Sequence, residues 1–300
     1  MRSKAEIKLK GKLNLTPVWF CGPFLVAFCI FTVLPVVISL ALSLTDFNMI
    51  KMPDFVFLDN YIRLFFKDRL FVTAIKNTIV LAVLIGPGGY LLSMLFAWFI
   101  STLRPGMRAF VTVVFYAPSI TGNMYLVWQT MFSSDEYGYI NSLFTKLGLI
   151  DQPVLWLQNA TYIIPVVVTV TLWTSLGTSF LAFIAGFQGI DKTYYEAGAL
   201  DGIRNRWQEL WFITLPQIRP QMLFSAVMSI TGAFGVGAIV TALCGFPTTD
   251  YAGHTIMNHL EDFGSTRFEM GYASAIATLL FIIMIGANML AQKVIAKVGE

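Results

Sequence analysis

The feature that most constrains this chain is a succession of six long apolar runs, at about 17–45, 71–102, 107–132, 160–187, 219–244 and 268–296. A helix needs roughly 20 mostly apolar residues to cross a bilayer, and each run is long enough. Only 12% of the residues are charged, where a soluble domain carries about 25%, so the chain reads as an all-α membrane protein with six transmembrane helices. A net charge of +3 is too small to point to a nucleic-acid partner.

The first run follows a basic stretch, Arg2 to Lys12, as a signal peptide would. It continues to about Leu44, however, past the roughly 7–15 residues of a signal core, and no small-x-small cleavage pattern interrupts it. It is expected to stay as the first span, with residues 1–16 a cytoplasmic N-terminus and 17–300 one membrane domain. The second and third runs are joined by Leu103-Arg104-Pro105-Gly106, whose Pro-Gly pair forces a tight reversal. Cys21, Cys29 and Cys244 have neither disulfide nor metal-ligand spacing and read as small apolar side chains.

Orientation follows from lysine and arginine, which concentrate on the cytoplasmic side. With both termini inside, 13 of the 20 basic residues face the cytoplasm and 7 face outward, which favours N-in, C-in. Prolines at 35, 87, 118 and 165 fall within the runs, as bilayer helices tolerate where neighbours re-satisfy the backbone. Gly232, Gly235 and Gly237 in the fifth run would allow either close helix approach or room for a ligand.

The connection at about 188–220 is longer than a plain connector and carries local order. Asp191 is a good N-cap for a helix from Lys192, and Gly202 is placed to end it as a C′ glycine. Asn205 can cap a second helix, with Gln208 three residues on in a capping-box-like relation. Ile203, Trp207, Leu210, Trp211 and Thr214 recur on one face of that helix, and Pro216 and Pro220 are expected to stop it. Ala197-Gly198-Ala199 would let a partner surface come close, and Glu196 would offer it one charge. On pattern alone the unit is equally a docking loop or an interfacial amphipathic helix without a partner.

Other constellations are weaker. His254 and His259 lie five residues apart in an outer loop with Asp250, Glu261 and Asp262 nearby, but not at metal-ligand spacing, and read as part of a solvated loop. Asp135 and Glu136 read as a charged outer loop. No nucleophile–base arrangement and no G-x-x-x-x-G-K-[ST] loop is present, so no catalytic residue or nucleotide site is expected. The runs also lack embedded charges of the kind that mark ion relays.

The segment Tyr195-Glu196-Ala197-Gly198-Ala199-Leu200-Asp201-Gly202, followed by Ile213-Thr214-Leu215-Pro216, resembles the EAA loop of binding-protein-dependent ABC importer permeases. Within them it is similar to the sugar-permease branch that includes the maltose and glycerol-phosphate systems. Further likeness, in order along the chain, lies in Leu58-Asp59-Asn60-Tyr61, Asn77-Thr78, Tyr137-Gly138-Tyr139-Ile140-Asn141, Gln188-Gly189-Ile190 and Met270-Gly271-Tyr272-Ala273-Ser274-Ala275. Three departures stand out. Gly198 replaces the motif's second alanine, the gap from Gly202 to Ile213 is one residue longer, and Cys244-Gly245-Phe246-Pro247 replaces a Gly-Gly-Gly-Pro.

The resemblance implies a type I ABC importer permease in a bacterial cell membrane. It would work with a second homologous permease, a cytoplasmic ABC ATPase dimer that holds ATP and Mg, and an extracytoplasmic solute-binding protein. It implies ATPase-coupling residues Tyr195, Glu196, Ala197, Gly198, Asp201, Gly202, Leu215 and Pro216. A carbohydrate path is implied near Leu176, Gly177 and Phe180 and near Phe234, Gly235 and Ala238. Tyr125, Trp128 and Trp173 are aromatic candidates beside it, with an interface belt or helix packing as the alternative. Importers of a peptide or phosphate ester share this architecture and stay open as alternatives. So does a membrane enzyme or scaffold without a motor.

Overall fold

A computed structural model describes residues 16–122 and 124–297. The proposed cytoplasmic N-terminus, with its five basic residues, therefore lies almost wholly outside the described residues. The described chain is helical, and its one β-bridge is the isolated pair Thr45–Phe55. Four helices are long and apolar enough to cross a bilayer, Trp19–Leu42, Arg69–Ser101, Ala160–Gln188 and Met270–Ala296; counting each bent helix pair as one span makes six. The pairs are Pro105–Ile120 with Met124–Met131, and Arg219–Phe234 with Gly237–Cys244, the latter bent by 44°. These elements fall on the expected apolar runs and give four to six candidate spans.

Packing is uneven. The second, fourth, fifth and sixth segments form the body of the molecule. In lipid, apolar contact gives little drive for helix association, so close fit and interhelical hydrogen bonds must supply it. Both occur here. Gly86 faces Ala233 and Gly89 faces Ser175, so closely that a Cβ on Gly89 would lie 3.0 Å from the serine. Ser179 and Ser225 each donate to the other's carbonyl at 3.2 Å, joining the fourth segment to the fifth. The first segment is different. It runs as Thr16–Phe28, a π turn at Cys29–Val33 and Leu34–Leu42, and its apolar window buries nothing within the chain. Its main contact is that of Leu34–Leu42 with the sixth segment.

The connections at 43–68, 133–159 and 245–269 are held by side chains from the short motifs. Asn60 donates to the carbonyls of Ser43 (2.9 Å) and Thr45 (2.7 Å). Asn77 reaches the carbonyls of Tyr251 and His254, and the neighbouring Thr78 hydroxyl accepts from Ile256 N–H at 2.9 Å. Buried Asn141 ties residues 133–135 to Val154 and accepts from Trp156 Nε1 at 2.7 Å. The Gly271 N–H donates to Phe47 O at 2.8 Å, and a Cβ at Gly271 would sit 2.0 Å from Thr45 O. An unsatisfied buried amide costs about 1–3 kcal/mol, so these bonds specify how the loops fold back on the helices.

Candidate functional site

The loop between the fourth and fifth segments begins with Lys192–Leu200. The Asp191 carboxylate accepts from Thr193 N–H at 3.0 Å, a bond that holds its pKa below the ordinary value. The helix ends in a Schellman arrangement. Gly202 takes φ +93°, its N–H reaches Ala199 O, and Ile203 N–H reaches Gly198 O at 2.9 Å. Left-handed backbone of this kind is open to glycine at no steric cost, as expected for a C′ position.

The second loop helix starts at Asn205, whose side chain accepts from Gln208 N–H at 2.8 Å. The Gln208 side chain reaches back to Arg204 N–H, one residue earlier than a capping box would place it. Pro216 does not stop this helix, contrary to expectation. Arg206–Glu209 passes through a π turn at Leu210–Thr214 into Leu215–Gln217, so Pro216 lies within the helical run. A π turn pairs i with i+5, so the helix tolerates a residue that cannot donate. Pro220 sits in the first turn of Arg219–Phe234, where it starts a helix rather than ending one.

The packing also reassigns Gly198. The position does not face outward for a partner: it is buried against the second loop helix, and a Cβ there would lie 2.6 Å from Ile213 Cδ1. Tyr195 faces the same way and shares a 3.0 Å hydrogen bond with Thr214. Leu215 is buried in the cluster around Phe180, Phe183 and Met222, and Pro216 is half-buried beside it. The outward face of the first helix carries Thr193, Glu196, Ala197 and Leu200, the leucine 89% exposed, with Asp201 exposed at its end. Of the expected one-face set in the second helix, Leu210 and Thr214 are buried while Trp207 and Trp211 are exposed.

Inside the bundle, a cavity of about 240 Å³ opens between the second, fourth and fifth segments. Its polar lining is Thr171, Thr174, Ser175, Thr178, Ser179 and Ser229, with no charged residue. The fourth segment leaves helical backbone at Gly177 between Thr174 and Thr178, and the fifth bends at Gly235. Broken helices at bilayer depth belong where they line a cavity. Most of these hydroxyl protons are already committed. Thr171 donates to Val167 O, Ser175 to Leu172 O, and Thr174 to carbonyls in the preceding turn. What they present to the cavity is oxygen lone pairs, which accept.

The expected path residues fall elsewhere. Leu176, Phe180 and Phe234 are buried in packed clusters, and Gly177 lies against Ser119. Gly235 and Ala238 are exposed, outside this cavity. Tyr125 and Trp128 pack on the apolar cluster of the fourth and fifth segments, with Trp128 edge-on to Trp173 at 5.3 Å. Among the three glycines, Gly237 is the close approach, beneath Thr255 and Met257, while Gly232 lines the cavity. The missed hydroxyls were visible as a pattern, since residues 169–179, TVTLWTSLGTS, carry six hydroxyls in an apolar run.

At the end of the bundle opposite the 188–220 loop, the expectation of solvated histidines is corrected. His254 and His259 are 2% and 1% exposed and bond to each other at 3.0 Å through Nε2 and Nδ1. His259 Nε2 lies 3.0 Å from Asp68 Oδ2, which also accepts from the Tyr272 hydroxyl at 2.8 Å. Asp68 Oδ1 caps Arg69–Ser101 through Phe71 N–H. These contacts fix one direction of donation, His254 to His259 to Asp68, with both rings protonated at Nε2 and neutral. Burial pushes the His259 pKa down despite Asp68, and burial with the neighbouring His259 lowers His254 to about 4. Burial works to raise the Asp68 pKa, but Tyr272, Phe71 N–H and His259 outweigh it and the pKa falls below its usual value. Arg63 lies over the Tyr272 ring at 4.1 Å and pairs with Glu269. No group of three metal-ligating side chains occurs among the described residues.

Comparison with known proteins agrees with this architecture. Residues 89–297 match the family described as binding-protein-dependent transport system inner membrane component. The probable ABC transporter permease protein YesP of Bacillus subtilis is 33% identical over 91% of this chain and 88% of its own length. The arabinooligosaccharides transport system permease protein AraP of the same organism is 28% identical over 92% and 87%. A chain of a bacterial alginate ABC transporter, solved in complex with an alginate pentasaccharide-bound periplasmic protein, superposes with a TM-score of 0.78. It covers 96% of this chain and 97% of that one at 22% identity, which speaks for the fold. The family match over most of the chain and the relative at 33% identity lead to one conclusion: this protein belongs to the binding-protein-dependent transport system inner membrane components, the permeases of ABC transporters.

Proposed function

We propose that the chain is the membrane-spanning subunit of an ATP-driven importer that moves a carbohydrate, an oligosaccharide, from an extracytoplasmic binding protein into the cytoplasm. It crosses the bacterial plasma membrane six times with both termini inside and pairs with a second, homologous permease. ATP and Mg are bound and hydrolysed on a separate ATPase dimer, so this subunit is not itself an enzyme. The observation that carries the reading is the loop. Two capped helices are locked to each other through Tyr195–Thr214 and Ile213–Gly198 while Glu196, Ala197 and Leu200 stay exposed. A rigid unit with a free face transmits a push from a partner into the connected helices. In this reading Glu196 pairs with a basic group of the ATPase, and Gly202 turns the chain within the ATPase groove. Gly198 and Leu215 serve by holding the loop's shape.

The uncharged hydroxyl lining favours a neutral sugar, because lone pairs on Thr171, Thr174 and Ser175 suit the O–H donors of a polyol. The names of the arabinooligosaccharide and alginate relatives support a glycan over a peptide or phosphate ester. Affinity purification of the tagged chain from its own membranes should bring an ATPase with it, and Glu196→Lys should abolish both that association and sugar uptake. Normal association and uptake in the variant would overturn the coupling assignment.

A further inference from the structure

Beneath the loop lies a second cavity, of about 740 Å³, whose basic residues the transport reading leaves unused. Its walls come from the end of the second segment (Trp98, Ser101, Thr102), the start of the third (Arg108), the end of the fourth (Phe187, Gln188) and both loop helices. Arg108, Lys192 and Arg206 all line it, against a single acid, Glu209. None of the three cationic groups makes an ion pair or hydrogen bond with a described side chain or carbonyl. Like charges gathered around one space repel unless an anion occupies it.

The neighbourhood narrows the anion. Trp207 packs on Trp98 with ring centroids 4.8 Å apart, and Trp207, Trp211 and Phe212 are all exposed. On the adjoining third segment Phe110, Val113 and Val114 are exposed as well. Tryptophan settles at the headgroup level of a membrane, with apolar side chains reaching the acyl region beneath it. A small soluble anion would need the cations but not this apolar flank. A molecule with a phosphate head and acyl chains uses both, and basic pockets between helix ends on the cytoplasmic side suit anionic head groups.

We infer that this cavity holds the phosphodiester head group of an anionic membrane lipid, gripped by Arg108, Lys192 and Arg206, with its chains lying along the third segment. The lipid would bridge the third segment to the starts of both loop helices and so tie the loop to the bilayer. The inference rests on the loop lying at the cytoplasmic membrane surface.

Native mass spectrometry of the intact importer, titrated with phosphatidylglycerol or phosphatidylcholine, tests it. Wild type should retain phosphatidylglycerol in preference to phosphatidylcholine. Arg108→Gln, Lys192→Gln and Arg206→Gln together should weaken phosphatidylglycerol binding on the order of 100-fold, and each alone about 5-fold. Replacing Lys51, Lys67 and Lys146 by Gln on the other side should leave this binding unchanged. Equal retention by the triple variant would overturn the site, as would equal affinity for the two lipids. Displacement by millimolar inorganic phosphate would overturn the lipid in favour of a soluble anion. Should the triple variant not assemble, wild type still decides the question. Brominated phosphatidylglycerol should quench tryptophan fluorescence more than brominated phosphatidylcholine, and that excess should disappear with Trp98→Phe and Trp207→Phe; no excess in wild type refutes the site. The Glu196→Lys test keeps all three cations, so failure of the coupling reading and failure of this one are separable.

Discussion

Replacing Asp68 by alanine should be among the most damaging single changes around the buried histidine pair. Three bonds converge on this carboxylate: Phe71 N–H at 3.1 Å, His259 Nε2 at 3.0 Å and the Tyr272 hydroxyl at 2.8 Å. Loss of an N-cap costs about 1 kcal/mol. His259 and Tyr272 are 1% and 2% exposed, so water does not replace the carboxylate, and each stranded donor costs about 1–3 kcal/mol. The sum is about 3–7 kcal/mol. Asp68→Asn should cost much less, about 1–2 kcal/mol. The amide oxygen keeps the cap, its NH₂ can donate to His259 if that ring moves its proton to Nδ1, and the proton chain then runs toward His254. Unfolding of the purified protein in mild detergent at pH 7.5, followed by intrinsic fluorescence, should rank wild type above Asn and Asn well above Ala. An alanine variant within about 1 kcal/mol of wild type would show that these bonds do not hold this end of the bundle together.

Two further predictions follow from the same region. The buried histidine pair is neutral in the folded state, with His254 held at about 4 against 6.5 when unfolded, so the unfolded chain binds more protons between these values and stability falls as pH drops through that window. About 2 kcal/mol should be lost by pH 5 relative to pH 7.5, and a melting profile over pH 5–8 should flatten when His254 becomes Phe; an unchanged slope would mean that another group titrates. Gly271→Ala places a methyl 2.0 Å from Thr45 O, and backbone cannot yield there without breaking the bond to Phe47. Overpacking and the lost bond together should cost about 2–4 kcal/mol in the same melt, and a stable alanine variant would show that the segment after the first helix is not seated there.

Signals acting over a few residues were readable from the chain alone. Asp191, Gly202 and Asn205 each do locally what their chemistry suggests, and the apolar runs matched the helices. Readings that depended on which side a residue faces fared less well. Gly198 looked like room for a partner because a small residue looks the same whether the close neighbour is another protein or Ile213. His254 and His259 looked solvated because nothing within their loop reveals Asp68, which arrives from 191 positions away. Pro216 looked like a stop because a π turn leaves no local signature. The hydroxyl-lined cavity was written in residues 169–179, but hydroxyls in an apolar helix read equally as side chains bonded back to their own turn. The motifs that carried the resemblance outside the loop, Asn60, Asn77-Thr78, Asn141 and Gly271, work as ties between connections and helices, so their presence speaks for the scaffold more than for the substrate.

The first helix is fastened near Leu42 and Ser43, where Asn60 grips the chain, and touches little of the rest along its length. A rod held only along its last turns, where Leu34–Leu42 meets the sixth segment, can change its tilt at the cost of those contacts alone. Its angle is therefore set by its surroundings, through the thickness of the hydrocarbon layer or the pressure of a neighbouring helix. In a thinner bilayer it should lean further while the other segments keep their mutual fit. The protein thus presents to its membrane one adjustable edge on an otherwise fixed body.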